Sequence, residues 1–171
     1  GPASRRRHRG AEESVVVTVG AQEGMLLTVR ALMSQPEDVL MVCSPCYVGV
    51  IGVARLLGVG IRSVPEREDG LHPEDLEQAI QKERSQGRNP RAVYVIPDHS
   101  NPSGNTLSEQ TRRDLLDLAA RQDILIIEDS PYRWTGGPEP IPALKKLDRE
   151  RRVIQIGSFS KTVFPGPGSA T

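Results

Sequence analysis

Short apolar runs alternate along this chain with longer segments in which apolar residues recur at helical spacing, and no other feature of the sequence constrains the fold as strongly. The runs are rich in β-branched residues, and most of them end at glycine, proline or serine, which is typical of buried strands. They lie at Val15–Val19, Val39–Cys43, Ile61–Val64, Ala92–Ile96, Ile124–Ile127 and Val153–Ile156. Strands that are apolar on both faces and alternate with helices predict an α/β fold, with a mostly parallel sheet and helices on both faces.

Four segments between these runs have the periodicity and the end signals of helices. Two of them have recognisable caps, since Gly58 suits a helix C-terminus and Ser108 suits an N-cap. The predicted helices are Gln22–Met33, Tyr47–Leu57, a helix that opens at His72-Pro73-Glu74 with Leu76 and Ile80 on its apolar face, and Ser108–Arg121 with Leu115, Leu116, Leu118 and Ala119 facing inward.

The loops that follow five of the predicted strands are polar. Because the carboxyl ends of parallel strands meet at one edge of a sheet, and ligands bind beyond that edge, we expect any functional site to lie there. These loops cover residues 20–22, 44–47, 97–104, 128–132 and 157–161.

The composition excludes several classes of function. The 22 basic and 22 acidic side chains of the 171 residues cancel, so no net field attracts the chain to nucleic acid or to an anionic membrane. The basic run Arg5–Arg9 has no interleaved aromatic residue to stack on bases, and we interpret it as a solvated terminus. No apolar stretch is long enough to span a membrane. With only two cysteines, we expect a reducing, cytoplasmic location.

Each polar group at the predicted edge also has an ordinary structural interpretation. Gly20 suits a helix N-terminus that binds phosphate, but any strand-to-helix turn tolerates a glycine. The string Asn101-Pro102-Ser103-Gly104 on its own is typical of a turn. Asp129 directly follows a buried strand, where it could equally cap a helix or form an ion pair.

Lys161 is the most informative of these groups. The chain has four lysines, and the other three, Lys82, Lys145 and Lys146, lie among charged residues on predicted surface segments. Lys161 instead follows a strand and a Ser-Phe-Ser loop. Desolvation in a partly apolar site lowers the pKa of a lysine and makes it an amine nucleophile suited to Schiff-base chemistry, whereas an ordinary surface lysine is the alternative.

The two cysteines, Cys43 and Cys46, form a C-x-x-C pattern. A single such pattern is a weak indication of redox chemistry or metal binding, and the surrounding sequence lacks the context of a thioredoxin motif. The histidines His8, His72 and His99 have no metal-ligand spacing. We therefore expect no metal site.

Taken in order, the loop motifs are specific in combination. Thr18-x-Gly20-x-Gln22, Pro45-x-Tyr47, Asn101-Pro102-Ser103-Gly104, Asp129-x-x-Tyr132 and Ser158-x-Ser160-Lys161 follow one another here. This set resembles the large domain of fold-type I pyridoxal-phosphate enzymes, and is most similar to class I/II aminotransferases of the aminoadipate and valine–pyruvate transaminase kind. The resemblance runs from about Ser14 to Gly166.

The resemblance implies a role for five side chains around the cofactor ring. Lys161 would hold pyridoxal 5′-phosphate as an internal aldimine and later move the substrate's proton. Asp129 would pair with the pyridine nitrogen and keep it protonated. Asn101 and Tyr132 would donate hydrogen bonds to the phenolate oxygen, and Tyr47 would stack on the ring.

The resemblance also implies a phosphate site. It would be formed by the backbone at Gly20, Ala21 and Gln22 together with the hydroxyl groups of Ser158 and Ser160. The family pattern places an arginine seven or eight residues after the lysine as a phosphate clamp, but Gly168 and Ser169 stand at those positions here.

These features predict three parts of the chain. Residues 1–13 are a tag scar and basic N-terminal segment, residues 14–166 are the cofactor-binding core, and residues 167–171 are a linker-like tail. Because the resemblance implies further segments before and after, including a small domain with an arginine for the substrate carboxylate, we expect this core to be cut at both ends.

The implied function is amino transfer between an α-amino acid and a 2-oxo acid, in an enzyme that is a homodimer when intact. Three alternatives stay open. One is a non-catalytic domain that binds the cofactor, as in transcription regulators of the GntR type, and another is a fragment without turnover. The third is a different pyridoxal-phosphate reaction on the same fold, such as that of a C–S lyase or a decarboxylase.

Overall fold

The computed structural model describes residues 20–100, 102–130 and 141–157, and these form helices and strands in the predicted alternation. The predicted strand Val15–Val19 lies outside the described residues. The elements are α1 (Ala21–Leu32), β1 (Asp38–Ser44), α2 (Val48–Leu57), β2 (Gly60–Pro65), α3 (Pro73–Ser85), β3 (Asn89–Val95), α4 (Glu109–Gln122), β4 (Leu125–Asp129), α5 (Leu144–Leu147) and β5 (Val153–Ile156).

The strands form one five-stranded sheet in the order β2-β1-β3-β4-β5. All four neighbouring pairs are parallel, so the predicted parallel α/β class is confirmed. The chain leaves β1 toward β2 at one edge, returns to β3 on the other side of β1, and then continues to β4 and β5. The direction of winding therefore changes between β1 and β3, which makes the carboxyl ends of these two strands the switch point of the sheet.

Helices cover both faces of the sheet, and the alternating side chains of a single strand pack against the helices of both faces. In β1, Met41 packs with the cluster that contains the apolar side chains of α3, α4 and α5. Its neighbour Leu40 packs with the cluster that contains those of α1 and α2. Both side chains are fully buried. Because successive residues of a strand point to opposite faces, a central strand with two covered faces is apolar along most of its length.

The predicted helix ends are confirmed where a cap was identified. The Ser108 hydroxyl accepts a hydrogen bond from the backbone N–H of Thr111 at 3.1 Å. Gly58 ends α2 with a φ of 67°, a left-handed conformation that costs glycine little. The N-terminal proline of α3, Pro73, occupies a position where a missing N–H costs nothing.

Apart from ends that shift by one residue, the structure differs from the predicted elements at three places. Strand β4 continues to Asp129, two residues beyond the predicted end at Ile127, because Glu128 and Asp129 pair with Gln155 and Ile156 of β5. Strand β3 begins at Asn89, three residues before the predicted start, because Asn89 and Pro90 pair with the first residues of β1. The short helix α5 was not predicted, since four residues are too few to give a helical periodicity.

Candidate active site at the carboxyl edge of the sheet

The described residues that follow β1, β3 and β4 lie at the carboxyl edge of the sheet. A shallow crevice lies at the switch point between β1 and β3. It is lined by Cys43, Pro45, Cys46, Tyr47, Tyr94, Ile96 and Ser100. This is the position at which open α/β sheets bind ligands.

Asp129 is the last residue of β4 and lies beside this crevice. Strand alternation places it on the face covered by α1 and α2, two residues after Ile127, which packs into the cluster of that face. The Tyr94 hydroxyl donates a hydrogen bond to Oδ2 of Asp129. Tyr94 is opposite Ile127 in the register of β3 and β4, so Asp129 is its diagonal neighbour across the two strands.

The electrostatics of this pair follow from burial. Desolvation raises the pKa of Asp129 above its usual range, and the hydrogen bond from Tyr94 partly opposes that rise. Desolvation, reinforced by the nearby Asp129 charge, strongly raises the pKa of Tyr94, so the phenol stays protonated as a donor. Among the described residues, no lysine, arginine or histidine forms an ion pair with Asp129.

Tyr47 is the N-cap residue of α2 and lines the same crevice as Tyr94. Its ring lies directly against Gly49. A Cβ atom added to Gly49 would clash with Cε1 of Tyr47 and would be 2.8 Å from its Cζ. The tyrosine therefore occupies this position only because residue 49 has no side chain.

The N-terminus of α1 approaches Tyr47 from the neighbouring segment. The Gln22 side chain donates a hydrogen bond from Nε2 to the Gly49 carbonyl at 3.0 Å. Gly20 is the N-cap of α1, with a φ of 90° that a residue with a side chain rarely adopts. The structure thus joins the predicted residues Gly20 and Gln22 to Tyr47 through Gly49.

Of the ten predicted site residues, the structure describes four with their side chains, Gly20, Gln22, Tyr47 and Asp129, and they lie along one edge. Ala21 lies in the first turn of α1. The other five, Asn101, Tyr132, Ser158, Ser160 and Lys161, lie outside the described residues, and their roles stay predictions.

Two residues of this edge were missed in the sequence. Tyr94 was assigned to a strand and not to the site, although a tyrosine in an otherwise aliphatic run was a detectable signal. Gly49 was one of several glycines in an apolar helix, and nothing in the sequence set it apart. Its importance depends on the ring of Tyr47 turning back toward it.

The C-x-x-C cysteines are poorly suited to redox chemistry or metal binding. Burial, with a contribution from the Glu66 charge, raises the pKa of Cys43 to about 12 and that of Cys46 to about 11. Both thiols stay protonated near neutral pH, whereas the thiolate is the reactive and metal-binding form. In the described part of the chain, no group of three or more histidine, cysteine, aspartate or glutamate residues could hold a metal ion.

The fold and the edge define an open, parallel α/β domain with a crevice at its switch point. Comparison with protein families identifies which domain this is. The family model described as "Aminotransferase class I and II" matches residues 4–164. The chain therefore belongs to the class I and II aminotransferases, and the resemblance seen in the sequence is confirmed.

Relatives of known name support this membership. The chain is 44% identical over 156 residues to an (S)-3,5-dihydroxyphenylglycine transaminase from Amycolatopsis orientalis, an alignment that covers 91% of this chain and 35% of the relative. It is 34% identical over 158 residues to a 2-aminoadipate transaminase from Thermus thermophilus, covering 90% of this chain and 38% of the relative. The chain thus spans about a third of the length of these relatives.

Solved structures agree on the fold. An archaeal alanine:glyoxylate aminotransferase superposes with a TM-score of 0.76 at 36% identity, covering 85% of this chain and 36% of the other. The α-aminoadipate aminotransferase from Thermus thermophilus, solved with N-(5′-phosphopyridoxyl)-L-leucine, superposes with a TM-score of 0.71 at 32% identity, covering 83% of this chain and 36% of the other. Across the described residues, no helix combines the length and the apolar character that crossing a bilayer requires.

Proposed function

We propose that this chain is the cofactor-binding part of a pyridoxal-phosphate-dependent aminotransferase, which moves an amino group between an α-amino acid and a 2-oxo acid. The observation that carries the proposal is the state of Asp129. Its carboxyl group is half-buried, has one neutral donor in Tyr94, and has no cationic partner among the described residues.

The chemistry of this carboxyl group fits the cofactor. A carboxylate that is partly removed from water is costly unless a cation or several donors compensate it. A protonated pyridine nitrogen offers both a positive charge and an N–H donor. Asp129 would hold that proton on the ring nitrogen, and Tyr94 would fix the orientation of the carboxylate that receives it.

The remaining described groups suit the rest of the cofactor. Tyr47 lines the crevice with an aromatic ring that could stack on a planar ligand. The first turn of α1, at Gly20, Ala21 and Gln22, is a helix N-terminus, which favours a phosphate group through its N–H groups and its dipole. Ser158 and Ser160 would add hydroxyl donors to that phosphate.

When bound, pyridoxal 5′-phosphate supplies an aldehyde group and an electron-withdrawing pyridinium ring. Lys161 would provide the amine that holds the aldehyde carbon and, when released, the base that takes a proton from the substrate's α-carbon. Asn101 and Tyr132 would donate hydrogen bonds to the phenolate oxygen of the ring.

The surroundings of the other lysines support this assignment of Lys161. The Lys145 ammonium donates to the carbonyl of Val153, the first residue of β5, at the amino edge of the sheet. Lys146 and Lys82 are exposed, on α5 and in the last turn of α3. None of these three borders the crevice.

Several finer properties belong to the same proposal. We infer that residues 14–166 act as the cofactor-binding domain of a longer, cytoplasmic enzyme that works as a homodimer. The names of its relatives favour 2-aminoadipate or an aromatic amino acid as the amino donor. The substrate would then be selected by segments beyond this third of the enzyme.

The test is a half-reaction carried out with the chain loaded with pyridoxal phosphate. Single amino acids are added, and both the 2-oxo acid released and the pyridoxamine phosphate formed are quantified by mass spectrometry. Equal amounts of both products support amino transfer. Carbon dioxide with an amine product would instead indicate a decarboxylase. A thiol and ammonia released together with a 2-oxo acid, without pyridoxamine phosphate, would indicate a C–S lyase. Cofactor binding without any product would indicate a non-catalytic domain or a fragment without turnover.

A further inference from the structure

Arg112 is one of two fully buried charged side chains in the described part of the protein. It lies in the first turns of α4, and its side chain has no exposed surface. A buried guanidinium group costs several kcal/mol in lost hydration unless its donors are satisfied. The acceptors that bind the Arg112 donors therefore indicate the role of this residue.

Three of its contacts lie at the two ends of one loop. The Nε group donates to the Leu107 carbonyl at 3.0 Å, and Nη2 donates to the Pro97 carbonyl at 3.3 Å. Nη2 also forms an ion pair with Oδ1 of Asp98 at 2.6 Å. Pro97 follows β3 and Leu107 precedes α4, so the guanidinium holds together both ends of the loop 97–107 at the carboxyl edge.

A fourth contact reaches a second loop. Nη1 of Arg112 donates to the Pro142 carbonyl at 3.2 Å, just before α5. The other end of the segment 130–142 is held by Glu128, which is also fully buried. Oε1 of Glu128 accepts from the Ser130 hydroxyl at 2.9 Å, and Oε2 accepts from the backbone N–H of Lys145 at 2.9 Å.

Strand alternation separates this buried pair from the site itself. Glu128 points to the face of α4 and α5, whereas the next residue, Asp129, points to the face of α1 and α2. Neither Arg112 nor Glu128 lines the crevice. They can act on the site only through the loops whose ends they bind.

We propose that Arg112 and Glu128 are positioning residues, which hold together the ends of the loop 97–107 and the described ends of the segment 130–142. Because these loops include the predicted cofactor ligands Asn101 and Tyr132, the consequence for cofactor binding rests on the proposed function. The positioning of the loops does not, since it follows from contacts within the chain. Apolar residues of similar size would fill the same space at less cost in hydration, but they could not bind three backbone carbonyl groups and the Asp98 carboxylate.

The experiment measures amide hydrogen exchange in the chain without cofactor. The reporters in the first loop are the N–H groups of Ser100, Gly104 and Leu107, all hydrogen-bonded within it. The N–H of Lys145, bonded to Glu128, reports on the second loop. The β3 amides report on global opening. Comparison of loop and sheet amides separates local loosening from a general loss of stability.

Four variants are compared with the parent. Arg112→Met removes every donor, and Arg112→Lys keeps the charge but not the fork of donors. Glu128→Gln keeps the shape and one acceptor. The matched control is Arg113→Met, since Arg113 is the next residue of α4 and, among the described residues, forms an exposed ion pair with Glu109 at 2.6 Å.

We expect the loop amides to exchange on the order of tenfold faster in Arg112→Met and Arg112→Lys, relative to the sheet amides. Glu128→Gln should accelerate the exchange of the Lys145 amide more than that of the Gly104 amide. Arg113→Met should change the exchange of neither amide. Equal acceleration of loop and sheet amides, or no acceleration in the loops, would overturn the proposal. Asp98→Asn, which weakens the ion pair without emptying the buried site, should give a smaller effect of the same pattern if Arg112→Met fails to fold.

A second arm links positioning to the cofactor. Pyridoxal phosphate is titrated into the same variants and binding is followed by absorbance. The Arg112 variants should bind on the order of tenfold more weakly than Arg113→Met and should show a shifted absorbance maximum. Looser loops with unchanged affinity and spectrum would refute the link to the cofactor. If the parent itself fails to bind, the proposed function fails, while the exchange result still decides the positioning role.

Discussion

The Tyr94 hydroxyl donates a hydrogen bond to Oδ2 of Asp129, across neighbouring strands at the carboxyl edge of the sheet. Burial raises the pKa of both groups, so the phenol keeps its proton and serves as the donor. The carboxyl group thus has one neutral partner and no cation among the described residues. This relationship links the fold to the proposed cofactor, because a protonated ring nitrogen would supply the missing charge.

Replacement of Tyr94 by phenylalanine removes the donor and keeps the ring. Since that hydrogen bond lowers the pKa of Asp129, we expect Tyr94→Phe to raise it further. A carboxyl group that is protonated more of the time pairs less well with a pyridinium ion, so pyridoxal phosphate should bind about tenfold more weakly. The pKa is measured by NMR titration of the Asp129 carboxyl carbon, and the affinity by absorbance. A carboxyl pKa that stays the same or falls in the variant would show that Tyr94 does not stabilise the carboxylate.

Asp129 should also make the cofactor-free chain less stable as the pH rises. Its pKa is higher in the folded state than the ordinary value of 3.8, so between these two values the folded state binds more protons than the unfolded state. Stability contributed by this group is therefore present at low pH and lost as the pH rises through the folded-state pKa.

Asp129→Asn removes this dependence and keeps an oxygen that accepts from Tyr94. We expect the variant to gain stability relative to the parent on going from about pH 4 to about pH 7. Urea unfolding at the two pH values measures the difference. If the variant were more stable than the parent only at the lower pH, Asp129 would have to be stabilised as an anion in the folded state, which would contradict the raised pKa.

Two glycines of α2 form a matched pair that tests the position of Tyr47. A Cβ atom at Gly49 would be 2.8 Å from Cζ of Tyr47, whereas a Cβ atom at Gly52 would have no atom within 4 Å. Gly49→Ala should cost about 1–3 kcal/mol of stability through overpacking and weaken cofactor binding. Gly52→Ala should gain about 0.5–1 kcal/mol, because alanine is the better helix former, and leave binding unchanged. If the two substitutions changed cofactor binding equally, the position of Tyr47 would not matter for binding, and Tyr47 would not belong to the site.

Gly20 and Gly87 form a second pair. Their φ angles are 90° and 81°, and neither has an atom within 4 Å of an added Cβ. Alanine at either position should cost about 1–2 kcal/mol through the left-handed backbone. Only Gly20→Ala should weaken the binding of pyridoxal phosphate more than the binding of pyridoxal, which lacks the phosphate. An equal loss of affinity for the two ligands would show that the phosphate does not bind at Gly20.

The fold was predictable because its signals are local. Runs such as Val39–Cys43 are apolar at every position, which is typical of a strand with two covered faces. Caps such as Ser108 act within one helical turn, so the sequence beside them is sufficient. The register was not predictable, which is why the early start of β3 at Asn89 was missed.

The site was predictable only in part. Asp129 and Tyr47 stand at strand and helix ends, where a polar residue after an apolar run is conspicuous. Tyr94 and Arg112 act through partners that lie 35 and 14 residues away and meet them only in the folded chain. Gly49 acts through Tyr47, two residues away, but only because the tyrosine ring turns back toward it. Arg112 in particular is one of two adjacent arginines in a polar helix. Only the completed packing distinguishes the buried Arg112 from the exposed Arg113.

The most direct test is to find where pyridoxal phosphate attaches. The chain is loaded with the cofactor, reduced with borohydride, digested, and mapped by mass spectrometry. The label is expected on Lys161, and Asp129→Asn should reduce the amount of label, while Lys145→Arg should not change it. A label spread over Lys82, Lys145 and Lys146, or no label at all, would contradict the proposed cofactor site.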